Sequence, residues 1–183
     1  MTLGAAFDGV LAAARTGEEW AWTRLYQDLA GPVRGYLAGR GSPDPEDEAA
    51  DTFLHIARGL SSFKGDEADF RAWVFSIAHR RMVDAHRKAG RRPQVTSDEP
   101  DDRLMRETVP SAEQQALLRD EAKAAAALLE GLSRDQREIL LLRVVGELSV
   151  RETAEVMGKS ESAVKVSQHR ALQSLRVRLA RRM

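Results

Sequence analysis

Apolar residues recur at helical spacing along most of the chain. Leu25, Leu29, Val33 and Leu37 follow one another at every fourth position, and Phe70, Trp73, Val74, Ile77 and Met82 again recur at helical spacing. That spacing lays one apolar stripe along a helix, whereas a half-buried strand would alternate every second residue. Alternating β-branched runs are nearly absent, so the pattern predicts an all-α protein. Helix punctuation falls at Gly31-Pro32, Gly39 to Pro45, Ser61 to Gly65, Gly90 to Pro93, Gly131, Gly146 and Gly158.

One stretch breaks the rhythm altogether. Pro93 to Pro110 holds Pro93, Pro100 and Pro110, many carboxylates and few large apolar groups. It cannot bury enough surface to offset the entropy of ordering. It is expected to be a flexible acidic linker over 93–110, dividing two small helical domains, 1–92 and 111–183.

Composition narrows the setting. With 43% hydrophobic and 31% charged residues among 183, the chain has enough apolar material for a packed core. Cysteine is absent, which excludes disulfides and thiolate-bound zinc. The segment Met1 to Asp8 lacks a basic, apolar leader, and the strongest apolar run, Ile139 to Val145, is interrupted by Arg143. The expectation is a cytoplasmic protein.

The formal net charge is +0, yet the charges are segregated. Arg71, Arg80, Arg81, Arg87, Lys88, Arg91 and Arg92 face the single acid Asp84 between 71 and 92. From Asp98 to Glu121 acids prevail, and the tail is basic again through Arg170, Arg176, Arg178, Arg181 and Arg182. A basic stripe of this kind suits phosphate binding, which the zero sum conceals.

The most specific local pattern is Ser149 to Leu175. Ala154, Gly158 and Val164 stand where a helix-turn-helix needs a small contact residue, a glycine free to take positive φ, and a β-branched anchor for the second helix. Ser160 is a good N-cap for that helix, expected over about Glu161 to Arg176. Its N-terminal residues would then reach base edges in the major groove. Lys165 could donate to guanine, Gln168 could pair with adenine and Glu161 could accept from cytosine, with Ser162, His169 and Arg170 close by. An exposed helical hairpin of mixed charge is the plainer alternative, because short patterns of this type recur by chance. Upstream, Ser133 and Gln136 have capping-box spacing at the head of a helix running to Arg143.

The stretch from Leu132 to Lys165, LSRDQREILLLRVVGELSVRETAEVMGKSESAVK, resembles region 4 of the extracytoplasmic-function (ECF) sigma factors of the sigma-70 family. LuxR-type regulators share the helix-turn-helix. Leu25-Tyr26, Asp44 to Asp47, Asp51 to Leu54, Phe63 to Gly65 and Phe70 to Ala78 are similar to sigma region 2, in the family's order. The resemblance implies a non-catalytic transcription initiation factor without cofactor or metal. Its implied partners are core RNA polymerase, through the clamp helices and flap of the two large subunits, and promoter DNA. An anti-sigma factor is a further partner of most relatives, and no membrane contact of its own is implied.

Site residues follow from the same resemblance. Asp47, Glu48 and Asp51 would dock on polymerase, although acidic helix faces are more often plain solvated surface. Lys64, Arg71, His79, Arg80, Arg81, Asp84, Arg87 and Lys88 would serve the minus-ten element, and Ser160, Glu161, Ser162, Lys165, Gln168, His169 and Arg170 the minus-thirty-five element. The linker would thread the polymerase's active-site channel. Ala50 stands where many members carry glutamine, and Arg80 where asparagine is common. Trp73 reads as a core residue by its spacing with Ile77, rather than as a platform for unpaired bases.

Three other classes compete. A dimeric DNA-binding regulator would read palindromic half-sites. A helical enzyme lacks a Gly-rich phosphate loop and a paired-carboxylate arrangement. A purely protein-binding module would need the basic stripe buried against acids.

Overall fold

The computed structural model describes residues 3–89 and 127–180, with side chains placed up to 84 in the first segment. The predicted linker over 93–110 lies outside the described residues, and so do Arg91 and Arg92. Within the described residues every element is helical: α1 (Phe7–Arg15), α2 (Glu19–Gly39), α3 (Pro45–Gly59), α4 (Glu67–Ala89), α5 (Arg134–Val144), α6 (Val150–Met157) and α7 (Glu161–Ala180), with one 3₁₀ turn at Gly4–Ala6. This is the all-α fold that the spacing predicts.

Helices α1 to α4 pack around one apolar centre. The stripe of α2 is Ala21, Leu25, Leu29, Val33, Tyr36 and Leu37, all buried. It runs straight through Gly31-Pro32, which the sequence reading takes as a break. Proline removes one backbone donor, but the same face stays buried on both sides of it, so continuing the helix retains packing that a break would forfeit. Asp44 caps α3 by accepting from the Asp47 backbone N–H at 3.1 Å, with Pro45 in the first turn. Phe53 and Ile56 point inward from α3, Leu54 is half-buried, and Thr52 is fully buried.

Trp73 is half-buried and stacks on Phe63 with ring centroids 5.2 Å apart, as a core residue should. Phe70 and Phe63 meet edge to face at the same separation. These rings fix the loop 60–66 against α4.

The C-terminal helices form a second, smaller arrangement. Ser133 and Gln136 make the predicted capping box of α5, and Ser149 and Glu152 make another at α6. Ile139, Ala154 and Val164 pack together at the junction of α5, α6 and α7. Leu141, Leu142 and Leu148 turn the other way and join the apolar cluster of α1 to α4. The two arrangements are therefore in direct contact, through α2 against α5 and α4 against α6.

Candidate nucleic-acid and polymerase interface

The turn between α6 and α7 has the geometry its sequence predicts. Gly158 takes φ 61°, ψ 37°, a left-handed conformation that costs a residue with a Cβ. Val164 is fully buried and Ala154 nearly so. Ser160 Oγ accepts from the Ala163 backbone N–H at 3.2 Å and caps α7. Burying Val164 turns Glu161, Ser162, Lys165, His169 and Arg170 outward, all exposed.

Two details refine this face. Lys165 Nζ lies 3.5 Å from Glu161 on the preceding turn, so each moderates the other's charge. Gln168 is half-buried, and its Oε1 accepts from Arg143 Nε at 3.3 Å. Bidentate pairing with adenine needs both amide atoms, so in this arrangement Gln168 has its Nε2 donor to offer.

The basic residues of α4 have separate fates. Arg80 is exposed, with its guanidinium folded back on Ser76 O and Oγ at 3.2 and 3.1 Å. Asp84, one turn on, is exposed, and so is Lys64 in the loop before α4. Arg81 pairs with Asp51 of α3 and also reaches both ring nitrogens of His55 at 3.3 Å. Arg71 points inward: it is 7% exposed, sits 3.2 Å from Asp28 and 3.7 Å from Glu147. The side chains of Arg87 and Lys88 lie outside the described residues.

The acidic face of α3 is likewise uneven. Asp47 is exposed, Glu48 is half-buried with Oε2 shielded, and Asp51 is engaged by Arg81. Asp51 thus joins the candidate polymerase face to the candidate minus-ten face.

His79 stands apart from the other α4 residues. Its Nδ1 lies 2.6 Å from Oε1 of Glu138, which comes from α5. Tyr36 Oη donates to the same oxygen at 2.8 Å, and Arg40 Nη1 lies 3.1 Å from Oε2. Burial raises the Glu138 carboxyl pKa, but the hydrogen bond from His79 and the charge of Arg40 outweigh it and hold the group below its ordinary range. Burial, reinforced by the Glu138 charge, pushes the Tyr36 hydroxyl well above its ordinary value. This four-residue cluster is absent from the sequence reading. Its traces there are a glutamate directly preceding the run Ile139 to Leu142 and two glycines, Gly35 and Gly39, one helical turn apart.

Comparison with known proteins assigns both halves. Residues 22–92 match the family Sigma-70 region 2, and residues 122–175 match Sigma-70, region 4. The chain is 34% identical to the ECF RNA polymerase sigma factor SigD of Mycobacterium tuberculosis, over 94% of this chain and 84% of that one. It is 36% identical to the ECF RNA polymerase sigma factor BldN of Streptomyces coelicolor, over 88% of this chain and 61% of BldN. Among solved structures, CnrH in complex with the cytosolic domain of CnrY is similar with a TM-score of 0.64 and 26% identity, covering 96% of this chain and 97% of that one. A region 2 helical body and a region 4 helix-turn-helix on one chain, with relatives of the same kind, make this protein an RNA polymerase sigma factor of the ECF group, a promoter-directing factor of transcription initiation.

Proposed function

We propose that the chain performs this role through three surfaces. Asp47, Glu48 and Asp51 on α3 dock on the clamp helices of core RNA polymerase. Lys64, His79, Arg80, Arg81, Asp84, Arg87 and Lys88, with Arg71 behind them, serve the minus-ten element and its opened strand. Ser160, Glu161, Ser162, Lys165, Gln168, His169 and Arg170 on α7 read the minus-thirty-five duplex.

The observation that supports this most is the helix-turn-helix itself. Val164 is pinned in the core while five polar neighbours face outward from the first turns of α7, the arrangement that places side chains at base edges in a major groove. Region 4 then positions polymerase on duplex DNA, and region 2 holds the melted strand by charge and stacking. No bond is made or broken by the protein, and the process takes place in the cytoplasm. The residues of 93–110 thread the polymerase channel between the two regions. The CnrH complex with the cytosolic domain of CnrY supports a protein partner for this chain as well, and the partner this reading assigns is an anti-sigma factor.

The test is run-off transcription with bacterial core polymerase on a promoter library. A discrete set of transcripts that requires this protein is the expected result. Selection of palindromic duplexes by the protein alone, with core neither bound nor redirected, would replace this reading with a dimeric regulator.

A further inference from the structure

We propose that the free protein is held closed by a buried latch, in which Glu138 of α5 is gripped by Tyr36, Arg40 and His79, and that this latch must release before the two promoter elements can be engaged together. The inference rests on the sigma-factor reading of α4 and α7.

Three independent features define the seam. First, the Glu138 side chain is 4% exposed and its three partners all come from the N-terminal helices, at 2.6 to 3.1 Å. Second, α2 faces α5 with glycines. A Cβ at position 39 would lie 2.5 Å from Leu141 Cδ2, and one at 35 would lie 3.4 Å from Val145 Cγ1. The helices thus meet closely at both positions: an added Cβ at 39 would force Leu141 to shift, while one at 35 would just reach van der Waals contact with Val145. Third, Leu141, Leu142 and Leu148 are buried in the core built by α1 to α4. A casual contact would show none of these.

The closed form cannot serve a promoter. Region 4 packs α7 on α5 and α6, and α6 packs on α4. Two helix-packing distances separate α7 from α4, about 20 Å. Elements centred near minus ten and minus thirty-five lie about 25 base pairs apart, or about 85 Å of duplex at about 3.4 Å per pair. In addition, His79, proposed for the minus-ten surface, is occupied by Glu138.

The latch is also built to open. Nε and Nη2 of buried Arg40 have no hydrogen-bond partner among the described residues. A buried ion pair with unmet donors gains little over its desolvation cost. Exposing both partners together on opening therefore forfeits little, whereas deleting Glu138 alone strands Arg40 as an unmet buried charge and disfavours the closed form. Binding of region 2 and region 4 to separate sites on polymerase would then draw them apart.

The chain lacks cysteine, which makes the seam testable by crosslinking. In the double variant Gly35→Cys, Val145→Cys, the new side chains fall within disulfide reach. Mild oxidation of the free protein should join them. The crosslinked protein should lose run-off transcription by about tenfold or more, as expected when a binding-competent state is removed. Reductant should restore it, and the wild type should respond to neither treatment. Full transcription from the crosslinked form would overturn the proposal, as would failure of the folded double variant to crosslink.

Labels at Arg58→Cys and Glu155→Cys give a second reading without polymerase. Added to that labelled pair, Glu138→Ala should shift the inter-label distance distribution to longer values and raise the apparent affinity for core. An unchanged distribution would overturn the latch. Absence of transcription with the wild type would instead sink the sigma-factor reading, leaving the distance measurement to judge closure alone.

Discussion

Arg81 of α4 donates through Nη2 to Asp51 Oδ2 of α3, so a residue proposed for DNA holds one proposed for polymerase. Both side chains are partly exposed, 28% and 41%, which limits what the pair adds to folding to about 1 kcal/mol or less. Its significance is positional. The pair places a candidate polymerase contact directly beside a candidate DNA contact.

Asp51→Asn should therefore lower affinity for core polymerase while changing thermal stability very little. Arg81→Ala should spare core affinity and weaken opening of the promoter. Binding of labelled protein to core, measured for both single variants and the double, checks this. Equal loss from Asp51→Asn with and without Arg81→Ala is the expected outcome, because the polymerase contact is then Asp51's own.

Gly158→Ala should destabilise the C-terminal helices by about 1–2 kcal/mol, the cost of placing a Cβ in left-handed backbone. No atom lies within 4 Å of where that Cβ would sit, so the cost is conformational rather than steric. Gly158→Asn should cost less, since asparagine tolerates this region. Chemical denaturation of the two variants gives the ranking, and equal stability for Gly158→Ala and wild type would contradict it.

Local rules made much of this structure legible. Capping at Ser133, the turn at Gly158 and the anchor Val164 each follow from neighbours within a few residues. The Ser149-x-x-Glu152 spacing is equally readable and fixes the start of α6. Pro32 defeats the local rule because burial along α2 outweighs one lost donor. Arg71 belongs to the basic stripe by composition, yet its spacing to Phe75, Ala78 and Met82 already places it on the buried side of α4. Tyr36 and Arg40 lie one turn apart, but His79 and Glu138 reach them only through tertiary packing, and no short-range pattern announces a cluster whose members lie as much as 102 residues apart.

Closure should also depend on pH at both extremes. The Glu138 carboxyl is held below its ordinary value of 4.5, so its contribution is complete above that pH and is lost as pH falls through the lowered value. The Tyr36 hydroxyl is held above 10.0, so its contribution is complete below pH 10.0 and is lost as pH rises through the raised value. Between these limits closure should be insensitive to both groups. Unfolding titrations of wild type and Glu138→Gln should diverge most near neutral pH and converge in acid. A constant difference between them through the acid range would show that the carboxylate charge is not what the cluster recognises.

The division of labour on α7 gives the sharpest test of promoter reading. Lys165 is exposed in the second turn of α7, the part proposed to reach base edges, whereas Arg170 is exposed further along the helix, where a phosphate contact is proposed for it. Loss of a base contact alters preference at one position, and loss of a phosphate contact weakens all sequences alike. Lys165→Ala should relax selection at one position of the minus-thirty-five element, with a penalty on the preferred sequence of about 1–3 kcal/mol. Arg170→Ala should lower transcription evenly across promoters and reduce its salt dependence. Selected promoter libraries read with each variant at two salt concentrations separate the two effects. If Lys165→Ala instead lowers all promoters equally, its amine serves the backbone, and base reading passes to Glu161 and Gln168. Their chemistry differs: a carboxylate accepts from cytosine, while the free Nε2 of Gln168 donates to guanine or thymine. The base preferred by the wild type then identifies which of the two makes the contact.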